Sequence, residues 1–531
     1  MTLAAPVAQG GMRVNTPVNQ NSALFFVDRH IAEGRAGKTV FIEADGAQRE
    51  LTYGELADAT ARFAGALLGR GVRREERVAM IVLDQIEFPI VFWGAVKAGA
   101  QPVPINTLLS SVFYEGILND CRASTLVVSA ALWDRVQPAL AGNRFLRQVV
   151  VIGDAPEGTE SYGDFVRDAA PAEVAEASAD EVAFWLYSSG STGMPKGVRH
   201  VHSSMQATYD TFCAQVLCAR EHERVFSAGK LFFAYGIGNG ITFPMAVGGS
   251  AVLLGARPTP ELVFEVIEKQ RPTIFCGVPT LFAAMVNLAD QAGVPDHALR
   301  ICTSAGEALP REVGEHWERL MGAPIIDGVG STEMLHIFLS NRPGDIVYGT
   351  SGIPVPGYSV RLVDENDNEV AEGEVGELLV RGPSMPEGYW NRRAKSQATF
   401  VGEWTRTGDK YERRADGRLV YCGRTDDMFK VSGIWLSPFE VEQALIEHPA
   451  VLEAAVVARR DEEDLEKPAA FVVLKPGIDP AVTEEFKEFV KVKVGLWKYP
   501  RWIEVVDELP KTATGKIQRF KLRESQLQEA K

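Results

Sequence analysis

Tyr187-Ser188-Ser189-Gly190-Ser191-Thr192-Gly193-Met194-Pro195-Lys196-Gly197-Val198 lies between an apolar strand-like run, Phe184-Trp185-Leu186, and a basic segment, Arg199-His200-Val201-His202. Hydroxyls at Ser188, Ser189, Ser191 and Thr192 supply donors, glycines at 190, 193 and 197 let backbone N–H groups approach an anion, and Lys196 adds a full positive charge. That chemistry is phosphate handling. A Walker loop ends in Gly-Lys-Ser/Thr, whereas here Pro195 precedes the lysine and Gly197 follows it, so a different nucleotide fold is expected. A flexible Ser/Gly linker is the competing reading, but linkers seldom abut an apolar strand on one side and Lys-Gly-Val-Arg-His on the other.

On both sides of this stretch, β-branched apolar runs alternate with helical periodicity. Arg77 to Leu83, Ser124 to Ser129, Thr273 to Cys276, Arg300 to Thr303 and Pro324 to Asp327 read as strands. Phe88 to Lys97, Ala131 to Leu140, Pro279 to Asp290 and Pro310 to Met321 read as helices. The alternation predicts βαβ units and a parallel, doubly wound α/β architecture, with ligands beyond the carboxyl ends of strands. Three loops are expected there: Ser188 to Gly197, Ser304 to Leu309 and Asp327 to Glu333.

After about residue 345 shorter strands with Gly/Pro turns predict a β subdomain. Beyond Gly423-Arg424-Thr425-Asp426-Asp427 a small α+β unit begins, with Ser437-Pro438 as helix cap and first residue. The expected division is a large N-terminal domain over 1–425 and a C-terminal domain over 426–531.

Size and composition agree with a folded multidomain protein: 531 residues, 46% apolar and 24% charged. A net charge of −15 without any Lys/Arg block disfavours nucleic acid and anionic lipid as partners, so small anionic ligands need locally concentrated cations. Six cysteines without CxxC spacing read as free thiols in a reducing compartment. Val78 to Val103 is interrupted by Asp84, Glu87 and Lys97, which argues against a membrane span, and no secretory signal is read. A cytoplasmic protein is expected; a homodimer is left open.

Further constellations carry chemistry only in company. In Asp327-Gly328-Val329-Gly330-Ser331-Thr332-Glu333, Thr332 can reach an α-phosphate and Glu333 can hold Mg²⁺, a hard cation that takes oxygen ligands. In Arg406-Thr407-Gly408-Asp409 the carboxylate suits two ribose hydroxyls, and Arg424 is a charged partner for the same ribose or its phosphate. Pro510-Lys511-Thr512-Ala513-Thr514-Gly515-Lys516-Ile517 presents a lysine on a polar loop. Each alone reads as an ordinary turn or solvated side chain.

Taken in order and spacing, Tyr187 to Val198, Thr332-Glu333, Thr405 to Asp409, Gly423 to Asp427 and Pro510 to Lys516 resemble the adenylate-forming superfamily of acyl-CoA synthetases, adenylation domains and luciferases. The resemblance covers essentially the whole chain. It implies that Ser188 to Lys196 is the phosphate loop, that Thr332 and Glu333 serve phosphate and Mg²⁺, and that Asp409 and Arg424 bind ribose. Ser304-Ala305-Gly306-Glu307-Ala308 and Asp327-Gly328 are implied to sandwich adenine. Val329 stands where the family often has an aromatic residue, so apolar contact is expected in place of stacking. Lys516 is implied to reach the acyl carboxylate during adenylation. Asp426 is implied to be the hinge about which the small domain swings, bringing Val431-Ser432-Gly433 to the acyl-adenylate and the thiol of coenzyme A.

Lys230 to Asn239, Gly330 to Ile337 and Asn21 to His30 resemble benzoate-CoA ligases in particular. By that resemblance Phe233, Ala234, Tyr235, Gly330, Leu335, His336 and Ile337 line the acyl pocket, with bulky residues closing it short around a compact ring, and Lys430 approaches the carboxylate. The expected activity is ATP-dependent benzoyl-CoA formation with Mg²⁺. Transfer to a carrier protein, a substituted benzoate as substrate, and a nucleotide-binding regulator that keeps the fold are the alternatives.

Overall fold

The computed structural model describes residues 19–190, 193–425, 427–431, 434–461, 465–495, 498–511, 517–519 and 521–523; of 189, 190, 193, 194, 430, 434 and 435 the backbone alone is described. Two parallel sheets form the α/β part. One holds Gln101–Pro104, Arg77–Ile81, Thr125–Ser129, Gln148–Ile152 and Glu160–Ser161 in spatial order, all parallel. Thr125–Ser129 is buried at every position, as a strand covered on both faces requires.

The second sheet has nine strands. Its parallel centre runs Ile325–Gly330, Ile301–Ser304, Ile274–Gly277, Arg224–Ser227, Ser250–Leu253 and Thr39–Glu43. Ile337–Ser340 and Ile353–Pro354 extend one edge antiparallel, and Glu50–Thr52 the other. Helices fix the connections with local signals. Thr52 and Glu55 form a reciprocal capping box at the start of Tyr53–Gly69. Ser437 caps Pro438–Ile446, with proline in the first turn as expected.

Two expectations are corrected. Ala131 to Leu140 is broken into 3₁₀ Ala130–Leu132, α Trp133–Val136 and 3₁₀ Gln137–Leu140. Pro138 has no N–H to give and its ring crowds the preceding turn, so one continuous α-helix cannot form. The segment Ser188 to Gly197 is not a loop beyond a parallel strand. It belongs to a long antiparallel hairpin, Val182–Gly190 with Gly193–Val201, paired up to Gly190 and Gly193. Pro195 falls where the register shifts, between the Ser188–Lys196 and Gly190–Gly193 pairs, a place in a ladder that tolerates a missing N–H.

Gly388–Tyr389 joins the other side of this hairpin. A separate β sheet follows, Ser359–Val363, Val375–Arg381, Trp404–Arg413 and Phe400–Val401, with Leu419–Arg424 paired to Trp404–Arg413. The final unit packs Pro438–Ile446 and Thr483–Val494 with the sheet Val451–Arg460, Glu466–Leu474 and Trp502–Val505. The Ser437 hydroxyl donates to the Cys422 carbonyl, and Tyr421 meets Phe439 edge to face at 5.0 Å.

Candidate active site

The centre of the site is the turn between Ile325–Gly330 and Ile337–Ser340. The two strands pair Gly328 with Ser340, Val329 with Leu339 and Gly330 with Ile337, with an irregularity after Val329. A Cβ on Gly330 would come 2.6 Å from the His336 carbonyl oxygen, so closure this tight requires glycine. Leu335 sits at φ +63°, a conformation that costs a branched side chain about 1–3 kcal/mol. The Ser331 hydroxyl accepts the Met334 N–H at 3.1 Å, and the Ser384 hydroxyl donates to the Met334 carbonyl at 2.7 Å. The turn thus commits Glu333 to a polar cluster and Leu335 and His336 to the core.

Glu333 Oε1 accepts from the Ser188 hydroxyl at 3.2 Å and from the Tyr389 hydroxyl at 2.7 Å. Lys196 Nζ lies 4.8 Å from the centre of the Tyr389 ring, within cation–π range. Two sheets therefore deliver one cluster: the hairpin brings Ser188 and Lys196, the short strand Gly388–Tyr389 of the same sheet brings Tyr389, and the turn of the nine-stranded sheet brings Glu333. Burial, followed by the Glu333 charge, raises the Tyr389 phenol and keeps it a donor. Half-buried Thr332 accepts the Leu335 N–H on its carbonyl at 3.3 Å. Tyr389 was not anticipated from sequence; the one available signal was an aromatic after a glycine, which usually marks packing.

Asp409 and Arg424, fifteen positions apart, are cross-strand partners in Trp404–Arg413 and Leu419–Arg424. Arg424 Nη1 donates to Asp409 Oδ1 at 2.7 Å and to the Thr407 carbonyl at 3.1 Å. Ser304 and Asp327 are register partners in adjacent parallel strands. Ser304 Oγ and Asp327 Oδ1 are buried, and among the described residues neither has a well-aligned hydrogen-bond partner. Burial pushes the Asp327 carboxyl up to about 8; the Ser304 hydroxyl opposes this without a well-aligned bond. Ala305 is buried, Gly306 turns the chain at φ +97°, and Glu307 is half-buried. The Asp327 charge acts on both Tyr411 and Tyr235, and that of Asp409 on Tyr411, which ties the adenine, ribose and acyl candidates into one neighbourhood.

On the apolar face of the turn, the His336 ring lies 4.5 Å from Phe243, 5.2 Å from Phe212 and 5.7 Å from Tyr235, centre to centre. Among the described residues neither imidazole nitrogen has a well-aligned hydrogen-bond partner, and burial, opposed by the Tyr235 backbone, pushes the ring down to about 3, so it is neutral. The Tyr235 hydroxyl is held by Thr303, at 2.6 Å from its Oγ1 and 3.0 Å from its carbonyl. Ala234, Leu335 and Ile337 are buried beside them, while Phe233 packs on Phe232 at 4.4 Å. Phe212, Phe243 and Thr303 were missed, since each reads as ordinary core.

Ser191, Thr192, Asp426, Ser432, Gly433 and Lys516 lie outside the described residues, as do the side chains of Ser189, Gly190, Gly193 and Lys430. Among the described residues no group of three or more His, Cys, Asp and Glu is placed to hold a metal, and no helix is long and apolar enough to cross a membrane.

A hairpin carrying hydroxyls and a lysine, a carboxylate at its root and a cross-strand Asp–Arg pair stand beside the two α/β sheets, an arrangement of the kind found in nucleotide-dependent enzymes. The chain belongs to the AMP-binding enzyme family, which matches residues 28–390, and the AMP-binding enzyme C-terminal domain matches residues 440–516. It is similar to the benzoate–CoA ligase of Thauera aromatica, 51% identical over 515 residues, 96% of this chain and 97% of that protein. The 4-hydroxybenzoate–CoA/benzoate–CoA ligase of Rhodopseudomonas palustris is 50% identical over 518 residues, 96% of this chain and 94% of that one. The crystal structure of a benzoate CoA ligase from Burkholderia xenovorans superposes with a TM-score of 0.87 at 47% identity, covering 95% of this chain and 100% of that chain.

Proposed function

We propose that this protein is an AMP-forming aryl-CoA ligase whose preferred acid is benzoate. The observation that carries the reading is the two-faced turn from Gly330 to Ile337, which puts the Glu333 carboxylate against the Ser188 and Tyr389 hydroxyls and an aromatic-lined histidine a few residues further on. The identity of about half to two benzoate-CoA ligases supports the choice of acid.

In the first half-reaction a benzoate carboxylate oxygen attacks the α-phosphorus of ATP. The new P–O bond forms as the bond to the bridging oxygen breaks, and pyrophosphate leaves. Two anions must meet, so groups that neutralise developing charge govern the rate. Lys196 serves the phosphates. Asp409 and Arg424 hold ribose, and Ser304 and Asp327, register partners on adjacent strands, border the adenine. Asp327, neutral over part of the working pH range, avoids adding another anion beside the triphosphate.

The donor set at Glu333 is all oxygen, a carboxylate with the hydroxyls of Ser188 and Tyr389, which fits a hard divalent cation. Glu333 would hold Mg²⁺, which when bound supplies charge neutralisation on the triphosphate. Neutral His336, Tyr235 and Ile337 close the pocket around an uncharged ring and exclude water from the carboxylate.

The division at 425/426, rotation of the small domain near Asp426, delivery of Lys516 to the carboxylate, approach of Lys430 and entry of coenzyme A beside Ser432 and Gly433 belong to the same proposal. In the second half-reaction the coenzyme A thiolate attacks the acyl carbonyl and AMP departs with the electron pair. Incubation with benzoate, ATP, Mg²⁺ and coenzyme A tests the reading: stoichiometric AMP and benzoyl-CoA are expected, and turnover with hexanoate but not benzoate would reject it.

A further inference from the structure

At the start of the segment that carries Tyr235 a half-buried lysine pairs with a buried carboxyl, and neither takes part in the chemistry above. Asp84 follows strand Arg77–Ile81 of the first parallel sheet, and Lys230 follows strand Arg224–Ser227 of the second. Lys230 Nζ lies 3.7 Å from Asp84 Oδ2, with side chains 17% and 5% exposed. The same ammonium donates to the carbonyls of Leu254 at 2.5 Å, Gly255 at 3.3 Å and Ala256 at 2.7 Å. Asp84 Oδ1 accepts the Leu231 N–H at 3.3 Å. From the opposite side Asp45 accepts the N–H groups of Gly255 and Ala256 at 3.0 and 2.7 Å. The turn 254–256 is thus gripped by its carbonyls and its amides at once.

This grip reaches the pocket through a chain that doubles back. Phe233 N–H donates to the Lys230 carbonyl at 3.0 Å, and a Cβ on Gly236 would overlap that same carbonyl oxygen. A Cβ on Gly229 would come 3.0 Å from the Tyr235 ring. Any displacement of Lys230 therefore moves Tyr235, whose far end is pinned to Thr303. Burial raises Asp84 to about 6, and Lys230 is the charge that opposes the rise. A surface lysine would be indifferent to these contacts; this one satisfies three carbonyls and a buried carboxyl.

We infer that Lys230, clamped by Asp84 across the two sheets, is a positioning residue that sets the acyl wall at Tyr235 and so determines selectivity for the acid without touching it. The inference rests on the aryl-acid reading above. Lys230→Met is expected to raise the KM for benzoate about tenfold, in line with the cost of small misplacements in a positioned site, while the KM for ATP stays within about twofold. Selectivity for benzoate over phenylacetate should narrow in the same variant, and Lys230→Arg should recover part of it. Should Lys230→Met fail to fold, Asp84→Asn and Asp45→Asn each loosen one side of the grip and are expected to give smaller shifts in the same direction. Equal changes in both KM values, or unchanged benzoate KM and selectivity, would overturn the inference with the functional reading intact. A parent enzyme showing no aryl-acid-dependent pyrophosphate exchange would overturn both.

Discussion

The proposed nucleotide side and the proposed acyl side of this site are built by opposite means. The nucleotide side is assembled from polar groups on separate sheets, Ser188 and Lys196 on a hairpin, Glu333 on a turn, Tyr389 on a two-residue strand, and Asp409 with Arg424 on a third ladder. The acyl side is one buried cluster in which His336 contacts three aromatic rings and Leu335 takes a strained backbone angle. Polar groups carried on separate elements tolerate rearrangement as ligands arrive; a close-packed aromatic wall fixes shape in advance. Nucleotide binding should accordingly be lost by deleting charges, and acid selectivity by changing volume.

The largest effect expected on that division comes from Lys516→Ala. It should lower benzoate adenylation by about a thousandfold or more while leaving thioester formation from supplied benzoyl-AMP near the parent rate, as loss of transition-state charge stabilisation in one half-reaction alone would. Equal loss in both halves would refute the domain swing. On the acyl side, His336→Ala opens the wall, and kcat/KM for benzoate should fall about 10- to 200-fold with a gain for bulkier rings and an unchanged KM for ATP. Deleting the ribose pair by Asp409→Ala should raise the KM for ATP about tenfold or more, the cost of charge-assisted hydrogen bonds, with the benzoate KM unmoved. Were these two variants to shift both KM values alike, the two sides would not be separable.

The smallest expected effect is on stability. Burial holds His30 and His202 down to about 4 and His200 and His336 down to about 3. These groups are neutral in the fold, so their contribution is complete above the ordinary histidine value of 6.5 and is lost as pH falls towards 4. Each costs about 1.4 kcal/mol per unit below 6.5. The melting temperature should drop from pH 7 to 5 and drop less in His336→Gln. A flat profile in both proteins would show that the acyl-side histidine is solvated.

Much of the nucleotide side was legible because its residues are unusual in their local setting. Asp409 and Arg424 were paired from sequence, and hairpin register brings them together across fifteen positions. The helix start at Ser437-Pro438 was legible for the same reason, a cap with a defined partner at Glu440. The form of Ser188 to Gly197 was not legible: its glycines suggested a loop, while the flanking apolar alternation zipped it into strands up to Gly190 and Gly193.

Tyr389 and Thr303 were hidden because their roles come from pairings between distant segments, Gly388–Tyr389 against Gly193–Val201 and Ile301–Ser304 beside Tyr235. Phe212 and Phe243 look like core in sequence and are core in the structure; only their enclosure of His336 gives them a place at the site. The resemblance to benzoate-CoA ligases proposes an acyl-lining role for residues that periodicity alone would have assigned to packing.

The central claim, that one turn joins a nucleotide site to an aryl-acid site, is tested most directly by pyrophosphate exchange into ATP without coenzyme A. Exchange that requires benzoate, needs no thiol and is abolished by Glu333→Ala is the expected result. Absence of benzoate-dependent exchange, or exchange that appears only when coenzyme A is added, would contradict it.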